Sequence, residues 1–311
     1  MAVSRSTRVR YYLEHLARMS IPGRLCRNRR DDLLKEAAAD EAVQQRADYY
    51  IQLREPFELS DQASPFRCRP WRGQSTYQLD LRDTLRFFPR DVRLDWIFGD
   101  NILDPPTPSL VKSRPIASEN RNGVLTKLNR IRHFQFVEDP TPFTEKKDML
   151  VWRGNASQPH RRAFLDRFFS HPLCDVGHYY QRPVENMPYG KEILSIPEQL
   201  QYKFVFAMEG NDVATNLKWI LSSRSLCIMP PCRYETWFME GRLQAGVHYV
   251  EVAPDISDLE DKLSYYRTHP DEAEAIIQNA NAWVNQFQNP HRERLISLEV
   301  LARYLRLAGQ V

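Results

Sequence analysis

Residues 204–229 read FVFAMEGNDVATNLKWILSSRSLCIM. An apolar run, FVFAM, ends in a polar cluster, Glu209, Gly210, Asn211 and Asp212, and a second apolar run, SLCIM, follows about one helix later. Short apolar runs bounded by turn residues fit strands buried on both faces, as in parallel sheets. The surrounding sequence keeps this rhythm. DMLVW (148–152) is followed by the turn RGN and the helical pattern HRRAFLDRFF, and CDVGHYY (174–180) reads as the next strand. YKFVFAM, a helix from about Thr215 to Ser223, SLCIMP and the strand HYVEV come next. Residues 255–287 read as two helices broken near His269 and Pro270, and ERLISLEVLARYLRLAG as a closing amphipathic helix. Strands alternating with helices predict βαβ units and a doubly wound parallel sheet.

In such a sheet, ligands bind beyond the carboxyl ends of the strands. Residues 209–212 stand at one such mouth. The helix after them starts with free N–H groups that attract phosphate. Thr215 or Asn216 would cap that helix or touch the phosphate, and Lys218 would reach it. The plainer alternative is a capped turn with no ligand. A second mouth follows DMLVW at Arg153, Gly154 and Asn155. An Arg beside a Gly that permits close backbone approach suits a diphosphate; the alternative is an ordinary turn with a surface Arg. Neither mouth is a Walker A loop or GxGxxG, which counts against ATPases and simple dehydrogenases.

The whole chain sets the outer bounds. Its 311 residues suggest two domains or one large one. With 42% hydrophobic and 27% charged residues it can bury a core. Net charge is +3, a weak lean toward anionic partners. The five cysteines are scattered without a CxxC pair, so neither a zinc ribbon nor a disulfide framework is expected, and a reducing compartment fits. Cys227 reads as core. No signal-peptide h-region and no run of about 18 apolar residues is seen, so the expected location is cytoplasmic or peripheral on the cytoplasmic membrane face. Residues 1–30 hold eight arginines and one acid, with Tyr11, Tyr12, Leu13, Leu16 and Met19 among them. That stretch either rests on an anionic leaflet or is a solvated or self-packed helix.

In the first half, residues 31–54 predict one helix capped by Asp31 or Asp32. TYQLDL (76–81) and RLDWIFG (93–99) predict extended segments. Residues 104–122 are rich in Pro, Ser and Asn and predict a mostly irregular loop. Its Lys112, Ser113 and Arg114 would hold a phosphorylated acceptor, form a lid over a donor, or simply be solvated.

The segments LVWRGNASQPHRRAFLDRFF, KFVFAMEGNDVATNLKWILSSRSLCIMP, RYETWFMEG and VHYVEV resemble the family 90 glycosyltransferases. The likeness runs from about Trp96 to Trp283. That family includes protein O-glucosyltransferases and fungal capsule-associated transferases, and the nearest branch is the bacterial lipopolysaccharide (LpsA-type) one. The resemblance implies an α/β fold of GT-B type, two Rossmann-like domains facing a cleft, with N- and C-terminal helices. The corresponding organisation is a basic segment (1–30), an acceptor-side domain (31–145), a nucleotide-sugar-binding domain (146–290) and a C-terminal helix (291–311). It implies a UDP-hexose donor, no cofactor, and an inverting, metal-independent transfer; no DxD triplet or clustered His/Asp pattern reads as a metal site.

An inverting transfer needs a base for the acceptor hydroxyl, and a carboxylate at a strand end is the usual solution. RLDWIFGDN puts Asp100 just past a predicted strand. In eukaryotic relatives the like strand ends in an Arg-Asp pair whose Asp is the proposed base; here Gly99 replaces the Arg and only Asp100 carries over. Asp100 could instead cap the GDN turn, and Asp104 is the next candidate. The relatives' donor-side helix carries an Arg two residues before a Lys; Lys218 matches, whereas Asn216 departs. Glu235 and Glu240 would hydrogen-bond a ribose or the donor sugar hydroxyls, and Tyr234 and Trp237 would pack on a sugar or fill the core. Of His133, His160, His171, His178 and His248, considered as other bases, His248 reads as a structural strand residue. His160, with Arg161 and Arg162, would help anchor an anion. No histidine sits in a nucleophile motif, so a hydrolase triad is not expected.

The leading expectation is therefore a hexosyltransferase moving glucose or galactose from a UDP-sugar to a lipopolysaccharide core sugar. Its alternatives are a same-family enzyme acting on a protein or capsule acceptor, and a non-enzymatic nucleic-acid-binding protein using the Arg-rich N-terminus. The small net charge counts against the last, and no nucleic-acid partner is expected.

Overall fold

Strands buried on both faces must be apolar almost throughout, and the second half of the chain supplies them in series. The computed structural model describes residues 5–68, 75–117, 122–179 and 189–311. Residues 1–4 of the basic segment, 118–121 of the polar stretch and Tyr180 of CDVGHYY lie outside the described residues. The chain divides into two compact units. The first comprises 133–232 and 242–286; the second comprises the described residues up to Arg132, then 233–241 and 287–311.

The first unit is an α/β, Rossmann-like layer structure. Its sheet has six strands in the order Val250–Glu251, Leu226–Met229, Tyr202–Phe206, Lys147–Gly154, Cys174–Tyr179, Gly190–Lys191, and every neighbouring pair is parallel. Phe204, Phe206, Leu226 and Ile228 are fully buried in it. Helix Pro159–Phe168 packs Phe164 on Phe206, ring centroids 4.7 Å apart and nearly coplanar. Leu259, Leu263, Ala273, Ile276 and Ile277 of helices Leu259–Thr268 and Pro270–Asn285 join the same core. Burying each such Leu, Ile or Phe contributes roughly 1.5–3 kcal/mol before entropy is counted. After Lys147–Gly154 the chain adds strands on one side; from Tyr202–Phe206 onward it adds them on the other. The topological switch point thus falls between those two strands.

The second unit combines helices with small sheets. Trp96–Ile97, Ser109–Val111 and Gly123–Leu125 form a parallel three-stranded sheet. Tyr234–Thr236 pairs antiparallel with Ser113–Pro115. Helix Pro290–Leu307 packs on helices Arg30–Ala39 and Glu41–Tyr50 through a nearly continuous apolar face that includes Leu298, Leu301 and Leu305.

Several expected elements differ. Residues 31–54 are two helices, because Asp40 leaves the helix and its carboxylate accepts from Ala42 N and Val43 N at 3.0 and 3.3 Å. Such a cap stabilises a helix start by about 1 kcal/mol. Asp31 and Asp32 lie in the first turn of the preceding helix, whose N-cap is Arg29. TYQLDL is not extended: it opens helix Ser75–Leu85. Tyr77, Leu79 and Leu81 alternate, but Tyr77, Leu81 and Leu85 also fall every four residues, and the helical stripe prevails. The polar stretch is less irregular than expected, since it contributes Ser109–Val111 and Ser113–Pro115 to sheets. Arg153 and Gly154 lie in the strand, not in a turn after it. The helix expected from Thr215 to Ser223 shrinks to Leu217–Leu221. His248 precedes the short strand Val250–Glu251, its Nδ1 accepting from Gln244 N.

Candidate active site

The two mouths read from the sequence are adjacent. Lys147–Gly154 and Tyr202–Phe206 are hydrogen-bonded neighbours, and residues 155 and 208–212 follow their carboxyl ends at the switch point. That is where open α/β sheets bind ligands. One side chain ties the two ends together. Arg161, in the first turn of the helix after Asn155, donates from Nη1 to Asn155 O (2.9 Å), from Nε to Glu209 O (3.0 Å) and from Nη2 to Met208 O (2.8 Å). His160 Nε2 bonds Glu209 O at 2.9 Å, and Gln158 Nε2 donates to Asn211 Oδ1. Arg161 is half-buried. A Cβ at Gly210 would stand 3.2 Å from Arg161 Nη2, so the glycine makes room for this clamp.

The other predicted residues of this mouth are placed as follows. Arg153 is buried and turned into the sheet. It donates to Trp152 O, to Glu192 O, and to both the carbonyl and the carboxylate of Asp175. Burial alone would raise the Asp175 carboxyl, but hydrogen bonds from Tyr202, Lys191 and Arg153 outweigh it and hold it at about 2. Four of the five guanidinium donors are used there. The space a Cβ would need at Gly154 is filled by the Trp152 indole, 2.3 Å away. Packing therefore accounts for that glycine. Gly210 N bonds Asp212 O at 3.0 Å, making the turn; Asp212 is buried and Glu209 half-buried. Asn216 stands at the N-cap position but spends its Nδ2 on Phe206 O (2.9 Å), and Thr215 beside it is half-buried. Lys218 is fully buried. With five residues, the Leu217–Leu221 helix has little dipole to offer a phosphate. His178 Nδ1 accepts from Ala156 N at 2.9 Å, and burial keeps its pKa below the usual value, so it serves as a neutral acceptor.

The second unit carries Asp100. It follows strand Trp96–Ile97, and Lys112 follows the adjacent parallel strand Ser109–Val111. Lys112 Nζ donates to Asp100 Oδ1 at 2.6 Å. Gly99 has φ +110°, a backbone conformation that L side chains rarely adopt, so glycine suits the turn before Asp100. Ser113 anchors the same loop: Asn101 N donates to Ser113 Oγ (3.2 Å) and Ser113 Oγ to Asn101 O (3.1 Å). Asp104 instead accepts from Asn122 N and Gly123 N, closing a turn.

The sequence profile described as Glycosyl transferase family 90 matches residues 128–307. This chain belongs to glycosyltransferase family 90. It is 48% identical over 266 residues to an "O-glucosyltransferase LpsA" of Dichelobacter nodosus, covering 86% of this chain and 83% of that protein. It is also similar to "Protein O-glucosyltransferase 3" of Homo sapiens, 22% identical over 51% of this chain and 32% of the human protein. An "Uncharacterized protein 035R" of Invertebrate iridescent virus 3 is 34% identical over 42% of this chain and 12% of the viral one. The chain is a glycosyltransferase, and the nucleic-acid-binding alternative falls away.

Within this family 90 enzyme, Glu235 and Glu240 belong to the unit that carries Asp100, and residues 153–155 and 208–212 belong to the other. The cause is the pairing of Tyr234–Thr236 with Ser113–Pro115. Arg114, fully buried, donates from Nε to Glu235 Oε1 (2.8 Å), from Nη1 to Gly123 O (2.9 Å) and from Nη2 to Tyr49 O (2.8 Å). Tyr49 OH donates to the other Glu235 oxygen. Burial nevertheless pushes the Glu235 carboxyl up, Arg114 opposing. Glu240 accepts from Thr236 N and Oγ1 at 2.6 and 2.9 Å, a local brace. Trp237 is core: it stacks on Tyr50 with centroids 3.9 Å apart and donates its indole N–H to Glu293. Arg161 and Gln158 are the site residues sequence reading missed or underweighted. Their signal was a polar helix start directly after a strand-end Gly-Asn.

No helix among the described residues is long and apolar enough to cross a membrane, and no group of three or more His, Cys, Asp and Glu could hold a metal ion there.

Proposed function

We propose that this enzyme is an inverting glucosyltransferase of GT-B type. It takes a UDP-sugar, without a metal, and glycosylates a sugar of the lipopolysaccharide core. The observation that carries the donor assignment is the switch point: two polar strand ends side by side, bridged by Arg161. Backbone N–H groups near Gly210 and the Arg161 guanidinium would offset the charge of a diphosphate. Glu209, Asn211, Asp212, Thr215 and Asn216 lie near enough in sequence to contact the nucleotide or sugar. Glucose is preferred over galactose because the relative covering most of the chain is named an O-glucosyltransferase. The resemblance to the lipopolysaccharide branch supports the acceptor.

In the proposed step the acceptor hydroxyl oxygen attacks the anomeric carbon. The bond from that carbon to the diphosphate oxygen breaks, and UDP leaves with the electron pair. Asp100 takes the hydroxyl proton. Lys112 keeps the carboxylate aimed, and Ser113 holds its loop. The anomeric configuration inverts because there is one displacement.

Calorimetry of the enzyme with UDP, ADP, GDP and CDP in EDTA, and again with magnesium, tests the reading. UDP-selective binding in EDTA is expected. A strict requirement for magnesium removes the metal-independent mechanism, and no nucleotide binding removes the donor site. NMR of the glycoside product reads the anomeric outcome; a retained configuration excludes the single displacement.

A further inference from the structure

The N-terminal helix Arg5–Ser20 is turned the wrong way round for a helix that serves only its own fold. An amphipathic helix on a globular protein buries its apolar stripe. Here the inward residues are Tyr11 and His15; Tyr11 packs on Leu79 and Ile131, and both also dock by polar contacts. Tyr11 OH donates to Asp80 Oδ1 (2.8 Å) and Arg18 Nη1 pairs with Asp83 Oδ2 (2.5 Å). His15 lies 3.4 Å from Asp80 Oδ1 and 3.5 Å from Asp83 Oδ1. The apolar residues face out. Val9, Leu13 and Leu16, at i, i+4 and i+7, are 51%, 59% and 50% exposed, and Tyr12 and Met19 border them. Seven of the fifteen exposed large hydrophobics among the described residues fall between Val9 and Leu25, so this is a patch and not scatter. Arg5, Arg8, Arg24 and Arg29 are exposed around it, and Glu14 is the one acid of residues 1–30.

We infer that this face is a docking surface for an anionic lipid bilayer, into which Val9, Leu13 and Leu16 insert while the arginines meet the headgroups. The charge decides between occupants. A second copy would set one arginine-rimmed face against another, whereas an anionic leaflet complements both the apolar stripe and its rim. The inference concerns where the enzyme sits and is independent of which sugar it transfers.

The test is co-sedimentation of the full chain with vesicles of phosphatidylethanolamine plus phosphatidylglycerol, and with vesicles of phosphatidylcholine alone. Binding to the first and not the second is expected, weakening as salt is raised. Leu13→Asp with Leu16→Asp should lower partitioning at least about tenfold, since each lost Leu forfeits buried apolar area. Arg5→Glu with Arg8→Glu should weaken it and reduce its salt dependence. All four positions are exposed, so circular dichroism and thermal melting should match wild type. Equal binding to both vesicle types, or none to either, overturns the inference. So does a concentration-dependent dimer in sedimentation velocity that the leucine variant dissolves; that result assigns the face to a second copy. Because the readout is vesicle binding, its failure leaves the donor-site reading untouched.

Discussion

Lys112 Nζ lies 2.6 Å from Asp100 Oδ1, yet the lysine side chain is 2% exposed and the aspartate 28%. A buried ammonium thus holds a carboxylate that remains open to solvent on one side. This is the arrangement expected of a base that must meet an incoming hydroxyl without drifting. Asp100→Asn should lower kcat by about 10²–10⁴ while leaving UDP affinity unchanged. Lys112→Met should lower kcat less, and the double variant should be no worse than Asp100→Asn alone, because the lysine acts through the aspartate. Steady-state kinetics and calorimetry on the three variants decide it; a wild-type kcat for Asp100→Asn rejects the assignment.

Gly154 ends its strand and Gly210 lies in the turn after the neighbouring one, but their substitutions should report on different things. A Cβ at Gly154 meets the Trp152 indole at 2.3 Å, and that ring is itself wedged against Phe164. Gly154→Ala should therefore destabilise by about 1–3 kcal/mol, seen as an earlier urea midpoint. A Cβ at Gly210 meets only the end of the Arg161 side chain at 3.2 Å. Gly210→Ala should barely change stability, but it displaces the clamp and should weaken UDP binding about tenfold. Equal effects of both alanines on UDP affinity would count against Arg161 as the bridging group.

These residues also show what was legible in advance. The central strands of the parallel sheet are visible as apolar runs because both of their faces are buried, and Phe204–Phe206 and Leu226–Met229 carry that signature without interruption, whereas the half-buried edge strand Gly190–Lys191 leaves no such run. The position of Asp100 just past strand Trp96–Ile97 is visible because a Gly-Asp-Asn turn directly follows an extended segment. The fates of Lys112 and Arg114 are not visible. A Lys-Ser-Arg tripeptide inside a Pro-rich stretch looks solvated, and the buried Arg114 pairs with Glu235 from 121 residues away. Arg153 misleads for a related reason. Its strand runs two residues longer than the apolar pattern, which turns the side chain toward Asp175 of the adjacent strand. Long-range ion pairs of this kind leave no local period in the sequence.

His15 should make docking of the N-terminal helix depend on pH. It faces Asp80 and Asp83 of helix Ser75–Leu85, Arg130 Nη2 at 3.1 Å, and Tyr11 and Arg18 of its own helix. Burial pulls the imidazole down, but hydrogen bonds to Asp80 and Asp83 prevail and hold it above 6.5. A raised folded-state value means that this stabilisation is complete below pH 6.5 and is lost as pH rises through that higher value. Hydrogen-exchange protection of residues 5–20, corrected for intrinsic rates, should fall across that window in wild type and stay flat in His15→Gln. Protection that rises with pH would reverse the assignment.

Glu293 should be the costliest single carboxylate to neutralise in the second unit. Its oxygens accept from Arg46 Nη1 and Lys127 Nζ, each at 2.5 Å, and from Trp237 Nε1 at 2.8 Å. All these partners are buried or nearly so, and they come from positions far apart in the chain. Burial would raise the Glu293 carboxyl, but the charges of Lys127 and Arg46 outweigh it and hold it below 4.5. Its contribution is therefore present above pH 4.5 and lost as pH falls through the lower folded-state value. Glu293→Gln leaves two cations without their counter-charge and should destabilise by about 3–5 kcal/mol at neutral pH. Removing Lys127 as well, in Glu293→Gln with Lys127→Met, should recover part of that loss, because one stranded charge is gone. Urea unfolding at neutral pH measures both variants. A Glu293→Gln midpoint equal to wild type would mean that the network adds nothing to stability.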